Sequence, residues 1–197
     1  MIQVDTKEKF FFFHTINSFQ VGDKFYIDFC GYRDNQIVDD FYLQNLENRG
    51  VSQENKAKFM RLIVDLKTKK TLLEKFDVQV ELPSINKSFG GEDYAYFYGI
   101  HSTKGSKELG NSILKYGLEN KSQIIWQDQN LLPGEPIFVS SPNSNSEDDG
   151  ILLVVCFDQT LQSSCLIILS ARSMTEIARS YTPNFIPASL HGSFYKS

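Results

Sequence analysis

Four side chains in this sequence are of kinds that could do chemistry together: His14, Glu81, Glu135 and His191. The chain has three histidines, His14, His101 and His191, and none stands at zinc-finger or H-E-x-x-H spacing. No single short motif therefore encodes a ligand set. Steps of 67, 54 and 56 residues link the four side chains in order along the chain. A neutral imidazole suits Fe, Cu, Zn or Ni. A carboxylate that accepts the other ring N–H fixes the tautomer and orientation of such a ligand. Two imidazoles and two carboxylates brought to one point would make a metal site. Steps this long demand a repeating architecture to bring them there.

Other chemistries find no support. There is no G-x-G-x-x-G or P-loop pattern for phosphates and no G-x-S-x-G elbow for an esterase triad. Pro142 to Gly150 is acidic and calcium-like in composition, but its glycine and its lack of a terminal Glu do not fit an EF-hand, so it reads as a polar inter-strand loop. His101 falls in a Gly/Ser/Lys stretch and is expected to be a solvated loop residue. Cys30, Cys156 and Cys165 are odd in number and widely spaced, as expected of reduced core thiols.

The elements that must position the four residues are strands. Phe25–Phe29 alternates, Tyr94–Gly99 is aromatic, and Ile151–Phe157 has the length and branching of a buried strand. A strand-turn-strand unit recurs three times: Arg61–Leu66 with Thr71–Phe76, Ile113–Leu118 with Gln123–Trp126, and Leu166–Ala171 with Glu176–Arg179. Aligning Leu66, Leu118 and Ala171 gives offsets of 52 and 53 residues. Repeats of ~40–50 residues with four strands each are the mark of β-propeller blades. Blade one takes Phe10–Phe19 and Phe25–Tyr32 before its hairpin, with an insertion near 33–58. Blade two takes Val80–Ile85 and Tyr94–Gly99, and blade three takes Glu135–Ser140 and Ile151–Phe157. Ser189–Tyr195 is left over as a closing strand. The expectation is an all-β chain, a partial propeller of about three blades plus one closing strand. The competing reading of the same hairpins is a β-sandwich. On the blade reading His14, Glu81, Glu135 and His191 all fall on the strand nearest the axis.

Composition narrows the partners. The chain carries 20 Lys and Arg against 24 Asp and Glu, a net charge of −4, with no basic block. Phosphate-backbone binding needs clustered cations, so no nucleic-acid partner is expected. No apolar run approaches a membrane-spanning length, and residues 1–9 lack the basic-then-apolar pattern of a signal peptide. A cytoplasmic location is expected, with a mitochondrial one open. Aromatics make up 13 % of residues, which suits an apolar tunnel and core packing equally.

Four segments, in this order, resemble one family. Phe12-Phe-His-Thr-Ile-Asn17 resembles an F-H-x-x-N stretch, and Val80-Glu-Leu-Pro-Ser-Ile-Asn86 an E-x-P-x-I-N stretch. Pro133-Gly-Glu-Pro-Ile-Phe-Val139 followed by Glu147-Asp-Asp-Gly-Ile-Leu152 is the most specific pair, and Ile186-Pro-Ala-Ser-Leu-His-Gly-Ser-Phe194 resembles an H-G-x-F segment. The sequence is similar to the carotenoid cleavage oxygenases, which include animal carotene oxygenases and a retinoid isomerohydrolase. The resemblance covers nearly the whole chain, about Phe10 to Tyr195. It implies a seven-bladed propeller, of which residues 1–197 would be the C-terminal part. It implies Fe(II) held by four axial histidines, with His14 and His191 as two ligands, Glu81 orienting His14 and Glu135 orienting His191. The other two histidines and a further glutamate would lie upstream of Met1. Gln20 and Val21 replace the usual acidic residues, and Leu190 replaces the usual Phe.

The implied reaction is oxidative cleavage of a conjugated double bond in a carotenoid or apocarotenoid by O2, with peripheral membrane contact made through upstream segments. Isomerohydrolase chemistry on the same scaffold is an alternative. So are an inactive truncated isoform, a propeller binding module whose His and Glu are structural, and a different axial-metal propeller hydrolase.

Overall fold

The structure is a computed structural model that describes residues 3–187 and 190–195. Among the described residues, twelve strands form three four-stranded antiparallel sheets. The first sheet holds β1 (Phe11–Val21), β2 (Lys24–Tyr32), β3 (Lys58–Asp65) and β4 (Thr71–Gln79), in that order across the sheet. The second holds β5 (Glu81–Ser84), β6 (Tyr96–His101), β7 (Ser112–Gly117) and β8 (Ser122–Trp126). The third holds β9 (Leu131–Ser140), β10 (Gly150–Asp158), β11 (Ser163–Ser170) and β12 (Glu176–Tyr181). Each sheet is an up-and-down meander, as a propeller blade is.

The repeat is also written into the backbone. Lys69, Lys121 and Met174, one in each outer hairpin turn, all adopt positive φ, at 57°, 54° and 59°. They are spaced by the same 52 and 53 residues as the hairpins themselves. A tight turn needs a left-handed residue at that point, and none of the three is the glycine that would advertise it.

Strand periodicity builds the two joints between blades. Successive residues of a strand face opposite sides. On β6 and β7, Phe97, Leu114 and Tyr116 therefore face blade one, packing with Phe59, Cys30, Tyr32 and Val80. Tyr98, Ile100 and Ile113 face blade three, packing with Leu152, Val154, Ile167 and Leu169. Polar latches cross the same joints. Arg61 donates twice to the buried Asp28, each bond 2.7 Å, and Tyr94 of the next blade donates to it at 2.6 Å. Lys115 donates to Asp148 at 2.7 Å, and the Glu147 carboxylate accepts the Ala95 and Tyr96 amides.

The insertion carries α1 (Gln36–Asp40) and α2 (Leu43–Arg49), helices too short to show a 3.6-residue period. Two expectations need correction. Blade three's inner strand starts at Leu131, so Glu135 lies inside β9 and does not open it. The closing strand at Ser189–Tyr195 is not formed over the described residues 190–195, which carry no ladder pairing, and Ser189 lies outside the described residues. A segment with no neighbouring strand to bond has nothing to hold it extended.

Candidate metal centre

Three inner strands deliver the chemistry, and each is irregular where it does so. The β1–β2 ladder slips between Phe12 and Thr15, the interval that holds His14, and again between Thr15 and Asn17. The β5–β6 ladder slips between Glu81 and Ser84, where Leu82 takes φ +46°. The β9–β10 ladder slips opposite Val154–Cys156, across the Pro133–Pro136 stretch that holds Glu135. A bulge bends its strand and re-aims a side chain. Pro133-Gly-Glu-Pro136 gave a sequence signal for the last, because proline cannot donate to a ladder.

The re-aimed side chains meet. His14 Nε2 lies 3.3 Å from His191 Nε2. The opposite nitrogen of each ring faces a carboxylate: His14 Nδ1 is 2.5 Å from Glu81 Oε2, and His191 Nδ1 is 3.2 Å from Glu135 Oε1. The two arms differ in burial. The side chains of His14 and Glu81 are 22 % and 4 % exposed, against 59 % and 17 % for His191 and Glu135. Gly192 donates its N–H to Glu135 Oε2 at 2.8 Å and lies against Ile137, which seats His191 without strand pairing.

A carboxylate on Nδ1 takes the ring proton and leaves the Nε2 lone pair pointing outward. Two such lone pairs at 3.3 Å repel unless a cation stands between them or one ring is protonated. The surroundings of His14 favour its protonated form. Its hydrogen bond to Glu81 raises its pKa above the ordinary histidine value. Burial works against this, and the charges of Glu81 and Glu135 add to it. The same pair also fits a metal, since nitrogens ~2.1 Å from one ion and 3.3 Å apart subtend about 100° at it. Among the described residues no third His, Cys, Asp or Glu joins them in a metal-holding group.

Sequence reasoning missed Tyr32, which donates its hydroxyl to Glu81 Oε1 at 2.7 Å. Burial and then the Glu81 charge push its phenol pKa far up, so it stays a donor. His101 also differs from expectation. It ends β6, half-buried, and its Nδ1 donates to the Gln79 carbonyl at 2.8 Å, because the aromatic strand runs further than its sequence pattern suggests.

The family model for retinal pigment epithelial membrane protein matches residues 2–196. The chain is 28 % identical to the carotenoid isomerooxygenase of Galleria mellonella over 202 residues, covering 95 % of this chain and 39 % of that protein. It is 29 % identical to human beta,beta-carotene 15,15'-dioxygenase over 215 residues, covering 92 % of this chain and 39 % of the relative. The structure superposes on cobalt-substituted Synechocystis apocarotenoid oxygenase with a TM-score of 0.85 at 26 % identity, covering 95 % of this chain and 40 % of that one. The chain thus spans about two fifths of each of these three proteins. Matched from residue 2 to residue 196, this chain belongs to the retinal pigment epithelial membrane protein family, that of the carotenoid oxygenases.

Proposed function

We propose that this chain is the C-terminal part of a non-haem Fe(II) oxygenase that cleaves a conjugated double bond of a carotenoid or apocarotenoid, with His14 and His191 as two of its iron ligands. The observation that carries the reading is the pair of imidazoles facing each other at 3.3 Å, each backed by its own glutamate. Imidazole is a donor that Fe(II) accepts, and neither glutamate competes for the ion, since each is engaged on the far side of a ring. When bound, Fe(II) supplies the activation of O2 that splitting a polyene requires.

The chain's own residues do the rest. Glu81 and Glu135 fix the tautomers and hold both lone pairs inward. Phe13 flanks His14, stacking on Phe41 at 5.8 Å and meeting Tyr32 edge-on at 5.6 Å. Phe41 also lines a cavity of about 500 Å³, where Leu46, Val51, Leu109 and Leu190 stand beside Glu47, Arg49 and Lys107. The apolar part of that lining suits a hydrocarbon.

Titration with Co(II), whose visible spectrum reports coordination, tests the ligands, and cobalt-substituted Synechocystis apocarotenoid oxygenase is a precedent for the probe. The expected result is one equivalent bound, weakly, and lost in both His14→Ala and His191→Ala. Equal uptake by wild type and both variants would sink the assignment. Turnover of β-carotene and of an apocarotenoid belongs to a chain extended to the length of its relatives, where His14→Ala should abolish product.

A further inference from the structure

The Glu81 carboxylate holds more than one imidazole. Its Oε2 accepts from His14 at 2.5 Å and from the Leu82 N–H at 2.7 Å, and its Oε1 accepts from Tyr32 at 2.7 Å. The three donors come from different places: β1, the strained turn in β5, and the last residue of β2. Rotating the carboxylate would break a buried bond at one end or the other, and buried polar groups are costly to leave unpaired. Tyr32 is itself fixed, 1 % exposed, with its ring against Phe11 at 6.1 Å and Phe13 at 5.6 Å. Glu135 has no such anchor among the described residues. It meets His191 at 3.2 Å and the Gly192 N–H at 2.8 Å, and nothing reaches across from another blade.

We infer that Tyr32 is a positioning residue for the metal centre: its hydroxyl locks the Glu81 carboxylate, and through it presets the direction of His14 Nε2. Tyr32 touches neither the ion nor the substrate and acts through Glu81. The role rests on the metal reading given above. It makes the centre two-tiered, with a rigid His14 arm built before metal arrives and a looser His191 arm.

The test uses the full 197-residue chain and Co(II) alone. Tyr32→Phe removes only the hydroxyl. Loss of a direct carboxylate partner costs about 10–100-fold in metal affinity, so loss of a group one step further out should cost about 5–10-fold. In a Glu81→Ala background the hydroxyl has nothing to hold, and Tyr32→Phe should change the affinity no further. A merely structural tyrosine would give the same loss in both backgrounds. Tyr98→Phe is the control, since the Tyr98 hydroxyl donates to the Ala171 carbonyl at the other joint. It should leave Co(II) affinity unchanged. Site-specific 3-fluorotyrosine at position 32 keeps ring and hydroxyl and should retain wild-type affinity even where Tyr32→Phe proves unstable. A metal-free readout accompanies these: the His14 Nδ1 proton should give a downfield NMR signal in wild type and Tyr98→Phe, broadened by exchange in Tyr32→Phe. Unchanged affinity and an unchanged proton signal in Tyr32→Phe would overturn the role, as would additivity with Glu81→Ala or a loss of affinity with fluorotyrosine. If His14→Ala binds Co(II) as wild type does, the metal reading itself has failed, and the role of Tyr32 falls with it.

Discussion

Glu81 and Glu135 hold their imidazoles on unequal terms. Besides its imidazole, the buried Glu81 holds a tyrosine hydroxyl and an amide, whereas Glu135 is partly exposed and backed by a single amide. Replacing either by Gln puts an NH2 where an N–H or O–H now donates. The measurement is Co(II) affinity by spectroscopic titration. Glu135→Gln should lose close to 10-fold and Glu81→Gln closer to 100-fold, the two ends of the usual range for such partners. The approach of His14, Glu81 and Glu135 to one another was legible in the sequence because each lies on the inner strand of its blade. Tyr32 was not, because 49 residues separate it from Glu81 and a tyrosine ending an aromatic strand reads as core. The Leu82 amide was not legible either. It serves through a positive φ that leucine does not signal.

At the scale of elements, the bulged inner strands aim the site, and their close packing makes the aim rigid. Gly99 on β6 lies under the start of β5, where an added Cβ would come within 2.4 Å of Val80 Cγ2 and 2.8 Å of the Glu81 carbonyl oxygen. Gly99→Ala must therefore push β5 away and Glu81 with it. The expected outcome is a loss of about 1–3 kcal/mol in denaturant unfolding, together with weakened Co(II) binding. An unchanged metal affinity would mean that β5 moves without carrying its side chain. The hairpins were legible from alternation and from their 52- and 53-residue offsets. α1 and α2 were not, at five and seven residues. Neither was the irregular path of His191, because a strand's existence depends on a neighbour that its own residues do not name.

Across the whole molecule, three blades are held in order by two joints, and the second has an electrostatic clasp. Burial alone would push the Asp148 carboxyl up. Hydrogen bonds from Lys115 and Ser146, with the charges of Lys115 and Arg172, outweigh burial and hold it below the ordinary aspartate value. A carboxyl held low in the folded state contributes its stability above the unfolded value, and that contribution is lost as pH falls through the folded one. Unfolding midpoints should therefore drop as pH goes below about 4. Asp148→Asn should flatten that drop and remove ~1.5–3 kcal/mol near neutrality. A variant with the same acid limb as wild type would place the sensitivity elsewhere.

The seat of His191 bears on how the centre exchanges its ion with solution. His14 sits in a bulged strand against a buried carboxylate, while His191 rests on the partly exposed Glu135, one amide bond from Gly192 and a contact with Ile137. Release should therefore begin with the peeling of residues 190–195, and the rate of stripping by a chelator should be set by that event. Gly192→Ala would bring a methyl within 2.7 Å of Ile137 Cδ1. It should speed Co(II) loss in stopped-flow chelation at saturating chelator while barely altering the rate of uptake. A change confined to uptake would show that His191, and not His14, meets the arriving ion first.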